Sequence, residues 1–321
     1  MMKKLVVLTG PTAVGKTKLS IALAKAIGGE IISADSMQVY KHMDIGSAKI
    51  MSSEMMGVPH YLIDVLEPRE AFNVVTFQTM AKEAMAEIYN RGKIPIIVGG
   101  TGFYIQAILN DIEFDENPQS TEIRKKYERL LQEQGGEILH QELAKVDARA
   151  ADDIHPNNSK RVIRALEYFE QTGNKISEHN QEQRTKQSPY DFRYFVLNDD
   201  REKLYARIDE RVDKMIDDGL VDEVRGLRES GLTKDLVSMQ GLGYKEILEY
   251  LDGECTLEEA IYKIKRDTRH FAKRQVTWFK RERDVVWVDK NKFDYSDECI
   301  LDYIVSEIQD IRLGEKESLR D

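Results

Sequence analysis

The sequence predicts an α/β fold, a parallel sheet flanked by helices that carries a small all-helical insertion. Three features predict it: six short apolar runs, a glycine-rich loop leading from the first run into a helical segment, and a long polar stretch with helical patterning but no strand-like run. The strand candidates are "LVVL" (5–8), "EIIS" (30–33), "HYLID" (60–64), "IPIIV" (94–98), "RYFVL" (193–197) and "VVWV" (285–288). Runs that are apolar on both faces and separated by helices belong in a parallel sheet covered on both sides. In such sheets ligands sit at the carboxyl ends of the strands.

The loop "GPTAVGKT" fills the spacing G-x-x-x-x-G-K-[ST] between the first strand and the first helix, which makes the core P-loop NTPase-like. Gly10, Pro11, Thr12, Ala13, Val14 and Gly15 supply a backbone whose N–H groups turn toward an anion. The following helix adds its unpaired N-terminal donors. Lys16 brings a mobile positive charge, and the Thr17 hydroxyl can ligate Mg²⁺. A phosphate or pyrophosphate is expected here, and the loop leaves its fate open.

From Asp115 to Ser188 the composition changes to polar, helix-patterned segments, with Gly135, Gly136 and Gly173 as helix stops. We therefore expect a discontinuous core of residues 1–114 and 189–321 and an insertion over 115–188. The chain of 321 residues, 41% hydrophobic and 32% charged, suits a folded two-domain protein. "MMKKLVVLTG" is too short an apolar run for a signal peptide, and no stretch reaches the length of a membrane span. Cys255 and Cys299 have no metal or disulfide spacing, so a reducing cytoplasm is expected.

Several residues beyond the loop are candidates for the site. Asp35, after the second strand, is placed for proton abstraction or metal ligation, or equally to cap a turn. The fourth strand ends in Gly99, Gly100, Thr101 and Gly102, where backbone can approach a ligand closely or simply pack. The metal-binding Asp expected there in a phosphoryl-transferring enzyme is absent, and Asp64 could take that role instead. On "REKLYARIDERVDKMIDDGL" (201–220), Arg207, Arg211 and Lys214 share a face that could be solvated or could clamp phosphate through Arg211.

The segment 256–284 reads as one amphipathic helix. Ile261, Ile264, Phe271, Ala272, Trp278 and Phe279 fall in one arc. Lys263, Lys265, Arg266, Arg269, Lys273, Arg274, Lys280, Arg281 and Arg283 fall on the rest, broken only by Asp267 and Glu282. So one-sided a charge pattern, in a protein of net charge −10, points to a nucleic acid or another large polyanion. "QGLGYKE" (240–246) offers Gln240, Tyr244 and Lys245 for hydrogen bonding and stacking on an unstacked base. "KRVIR" places Lys160, Arg161 and Arg164 on one helical stretch of the insertion.

Taken in order, "GPTAVGKT", "ISADSMQVY", "MDIGSAK", "IVGGTGFYIQAIL", "HPNNSKRVIRALE", "QGLGYKE" and "TRHFAKRQVTWFK" span nearly the whole chain, and in this they closely resemble the tRNA dimethylallyltransferases. The resemblance implies transfer of a dimethylallyl group from dimethylallyl pyrophosphate to N6 of adenosine 37 in tRNAs reading codons that begin with U. Pyrophosphate would be the leaving group. It implies Asp35 as general base, Thr101 against the adenosine or pyrophosphate, and Arg211 clamping the pyrophosphate with Lys16 and Thr17-bound Mg²⁺. It further implies contacts to the tRNA anticodon stem-loop from Asp35, Ser36, Met37, Gln38, Thr101 and Arg124, and from Lys160, Arg161, Val162, Ile163 and Arg164. Gln240, Gly241, Leu242, Gly243, Tyr244 and Lys245, together with Lys273 and Arg274, complete that set. A monomer is expected, without membrane association. No cysteine–histidine pattern of the eukaryotic C-terminal zinc finger follows, so the bacterial type is expected. Three other readings share parts of the pattern: a P-loop small-molecule kinase, a prenyltransferase of free adenine nucleotides, and a nucleotide-gated RNA-binding protein.

Overall fold

The computed structural model describes residues 2–114 and 122–317, so the first residues of the anticipated insertion, 115–121, lie outside it. The chain forms two compact units, Met1–Leu109 with Pro189–Asp321, and Asn110–Ser188.

The first unit is built on six parallel strands, β1 (Lys3–Thr9), β2 (Gly29–Ser33), β3 (His60–Tyr61), β4 (Ile94–Gly99), β5 (Tyr190–Asn198) and β6 (Val285–Asp289), ordered β3-β2-β4-β1-β5-β6. All six apolar runs are strands. β3 keeps only two residues of its expected five, because Leu62 and Asp64 take positive φ and turn the chain out of the sheet.

Alternation along the strands sorts the core into two layers. Leu5, Val7, Ile32, Ile97, Tyr194 and Val196 face one side. They pack beneath α2 (Val74–Asn90), α3 (Gly102–Leu109), α9 (Leu220–Glu229), α10 (Tyr244–Leu251) and part of α11 (Leu257–Phe279). Val6, Leu8, Ile31, Ile96, Phe195 and Leu197 face the other, beneath α1 (Lys16–Ile27), α8 (Arg201–Asp217) and α12 (Asp297–Glu317). A strand buried on both faces must be apolar throughout, which is why these runs were visible in the sequence.

α11 begins at a capping box, in which Thr256 and Glu259 satisfy each other's backbone N–H groups. It stops at Phe279, five residues before the expected end, so Lys280, Arg281 and Arg283 lie beyond the helix.

The second unit contains α4 (Glu122–Val146), α5 (Ala148–Asp153), α6 (Ser159–Thr172) and α7 (Ile176–Thr185), and no strand among its described residues. Its own small core gathers Leu139, Leu143, Ala150, Ile154, Val162, Ile163 and Leu166. Gly173 caps α6, whereas Gly135 interrupts α4 without ending it.

Candidate active site

Three neighbouring strands, β2, β4 and β1, deliver their carboxyl ends to one cleft of about 420 Å³. It is lined by Thr12, Gly15, Lys16 and Thr17 after β1, by Asp35 and Gln38 after β2, and by Gly100 after β4. Arg207 and Arg211 of α8 and Gln275 of α11 close it. The phosphate loop takes its shape from Gly15, whose φ of 101° lets it start α1 as a left-handed cap. The free N–H groups of the first turn of α1 are thereby left at the cleft.

Lys16 folds back over the loop and donates to the carbonyls of Gly10 at 2.9 Å and Pro11 at 2.8 Å. Burial, reinforced by the Arg211 guanidinium and opposed by Asp35, pulls its ammonium down to about 7. Arg211 reaches the Thr12 hydroxyl at 3.5 Å. Its own affinity for a proton is lowered by burial and partly restored by Asp35. Two cations crowded in a half-dry cleft, with one carboxylate nearby, are poised for a multivalent anion that relieves their repulsion and desolvation.

Arg207 also steadies the loop, donating to the Ala13 carbonyl at 3.1 Å while pairing with the buried Asp199. Asp35 caps a turn and also borders the cleft. Its Oδ1 accepts from the N–H groups of Met37 at 2.8 Å and Gln38 at 3.3 Å, closing a turn, while the residue lines the cleft.

The residue that sequence reasoning missed is Gln275. Its Oε1 accepts from Thr12 N–H at 2.9 Å, and its Nε2 donates to the Gly100 carbonyl at 3.0 Å. One buried amide thus ties the phosphate loop to the turn after β4. The approach is so close that a Cβ on Gly100 would collide with Nε2. The signal was present, because Gln275 falls in the middle of the helix's apolar arc, where an amide needs a specific partner.

Other expected residues lie elsewhere. Thr101 opens α3 and bonds Ala34 through its backbone N–H, but it does not line the cleft. Asp64 pairs with the buried Lys49 and also stays outside the cleft, so it is not placed to hold a metal at the loop. The Tyr244 ring is fully buried and its hydroxyl donates to Glu223 at 2.8 Å, so it cannot stack on a base as anticipated. Gly243 is buried and Leu242 half-buried, and Gly241 packs on Met37. Gln240 is exposed and donates to the Lys234 carbonyl, and half-buried Lys245 pairs with Glu246 at 3.3 Å. Ser36 is half-buried.

In the second unit, Lys160, Arg161 and Arg164 are exposed, whereas Val162 and Ile163 belong to its core. Arg124 there pairs with Glu128 at 3.2 Å and Glu167 at 3.4 Å.

Along α11 the basic residues divide into two sets. Lys263 pairs with Glu249, Lys265 with Asp213, Arg266 with Asp267 and Arg269 with Asp209. Lys273 and Arg274, and Arg281 just beyond the helix, make no ion pair among the described residues. With His270, Thr277 and Trp278 they line a second, shallower cleft of about 440 Å³. No described helix is long and apolar enough to cross a membrane.

The IPP transferase family model matches residues 38–282. The chain is 64% identical over 304 residues to a tRNA dimethylallyltransferase of Lachnoclostridium phytofermentans, covering 95% of this chain and 97% of that one. The full-length tRNA isopentenylpyrophosphate transferase of Bacillus halodurans superposes with a TM-score of 0.72 at 44% identity, covering 98% of this chain and 99% of its own. A eukaryotic dimethylallyltransferase, captured in crystallographic snapshots acting on tRNA, superposes with a TM-score of 0.76 at 34% identity, covering 89% of this chain and 74% of its own. The chain therefore belongs to the IPP transferase family, together with these tRNA prenyltransferases.

Proposed function

We propose that the protein transfers a dimethylallyl group from dimethylallyl pyrophosphate to N6 of adenosine 37 in tRNAs reading codons that begin with U, and releases pyrophosphate. The observation that carries this reading is the single cleft in which Lys16, Arg211 and the phosphate loop face Asp35. The N6–carbon bond forms as the carbon–oxygen bond to pyrophosphate breaks. Asp35 takes the proton that N6 loses, because an adenine amino group is a weak nucleophile. Lys16, Arg211 and the N–H groups of the loop hold the charge that grows on the departing pyrophosphate.

Magnesium fits the donor set. No group of three or more acidic, histidine or cysteine side chains among the described residues forms a protein-only metal site. A lone Thr17 hydroxyl in a phosphate cleft suits an ion whose other ligands are phosphate oxygens and water. When bound, the ion would neutralise charge on the pyrophosphate.

Adenosine 37 must leave its stack to reach such a cleft, and the enzyme would hold the anticodon arm while it does. Lys273 and Arg274, with Lys160, Arg161 and Arg164 of the insertion, supply phosphate contacts for that purpose. Gln38 borders the base, and the chain acts as a cytoplasmic monomer. The test is incubation with dimethylallyl pyrophosphate and unmodified tRNA, followed by mass analysis of the nucleosides. A gain of one C5 prenyl unit on adenosine is expected, and phosphoryl transfer from ATP without prenylation would overturn the reading.

A further inference from the structure

The stretch Met43–Lys49 is pinned at both ends by groups that never reach the cleft. Lys49, its side chain 1% exposed, donates to the Tyr40 carbonyl at 2.6 Å and to Asp44 at 2.6 Å, and pairs with Asp64. At the other end stands Glu223, in the first turn of α9. Its Oε2 accepts from the backbone N–H groups of Asp44 at 3.0 Å and Ile45 at 2.7 Å, and its Oε1 accepts from Gly46 N–H at 3.1 Å. The Tyr244 hydroxyl donates to the same Oε1. Three successive amides converging on one carboxylate form an anion nest filled by the protein's own side chain. The Tyr244 ring seals it, since a Cβ on Gly46 would lie 2.6 Å from the ring carbons.

The next two residues, Ser47 and Ala48, line the cleft, and their carbonyls accept from Gln38 Nε2 at 3.5 and 3.2 Å. Gln38 stands in the turn that Asp35 closes. We infer that Glu223 is a positioning residue: by gripping amides 44–46 it fixes the turn whose carbonyls orient Gln38, and so shapes the cleft wall beside Asp35. This assigns Tyr244 of "QGLGYKE" a structural task. The inference rests on the proposed reading of the cleft as a prenyl-transfer site.

The experiment compares steady-state kinetics of the wild type, Glu223→Ala, Glu223→Gln, Tyr244→Phe, Gln38→Ala and the Glu223→Ala/Gln38→Ala double variant, with dimethylallyl pyrophosphate and an unmodified anticodon stem-loop. A wild type that does not prenylate the RNA sinks the functional reading, whatever the variants do. With an active wild type, kcat/KM for RNA should fall roughly 30-fold in Glu223→Ala, with KM for dimethylallyl pyrophosphate held within about threefold. Tyr244→Phe, which keeps all three amide contacts, should cost only about threefold, and Glu223→Gln should fall between the two. The double variant should be no worse than Glu223→Ala within about twofold, the mark of two residues acting through one path. Losses that multiply in the double variant, or equal changes for both substrates, would overturn the inference. If Glu223→Ala does not fold, Glu223→Gln and its double with Gln38→Ala decide the same question.

Discussion

The two halves of α11 both carry lysines and arginines, but with opposite electrostatic meaning. In the N-terminal half every lysine and arginine faces an acidic partner, three of them on α8 or α10 and one its own neighbour Asp267. In the C-terminal half Lys273 and Arg274 face solvent beside a cleft, with no ion pair among the described residues. Four of the six lysines and arginines on α11 are paired, so a count of positive charge along the helix overstates the polyanion surface. Partners contributed by other helices decide which charges remain available to a phosphate backbone.

The largest effect should come from a residue in neither half. Asp35→Ala is expected to lower the single-turnover rate of prenyl transfer by roughly 10²-fold or more while tRNA affinity stays within about tenfold. Binding that falls in parallel with rate would erase the separation between chemistry and RNA grip. Next, reversing Lys273 and Arg274 together should weaken tRNA binding by about tenfold or more. It should also flatten the slope of log affinity against log salt by about 2, roughly one for each phosphate that is no longer neutralised. An unchanged slope would mean the C-terminal half is as idle as the other.

Gln275→Ala, on the buried side of that same half, should cut kcat by about tenfold and leave the salt slope of binding untouched, because it acts on the loop and not on RNA. The smallest effect belongs to the N-terminal half. Lys265→Ala and Arg269→Ala should leave tRNA affinity within about twofold and each cost at most about 1 kcal/mol in denaturant unfolding, as partly exposed ion pairs do. A marked loss of RNA binding there would collapse the contrast.

The sheet was readable because burial on both faces forces uninterrupted apolar runs, and the phosphate loop because its spacing encodes a backbone shape. What escaped depended on partners far away in the chain. Tyr244 looked available to a base because glycines flank it. Its burial depends on Gly46 and Glu223, which no local pattern connects to it. Gln275 was masked by the apolar arc that contains it. The early end of α11 at Phe279 and of β3 at Tyr61 were equally silent, since neither is marked by a local breaker.

The amide of Gln275 sits between two exposed cations, Lys273 and Arg274, and the floor of the cleft, so the angular phase of one helix sets both. Inserting a single residue between Arg269 and Gln275 would turn everything downstream by about 100°. The amide would swing away from Thr12, and charge would rotate toward the sheet. Length in that short interval is therefore under a constraint that tolerance of individual substitutions would never reveal.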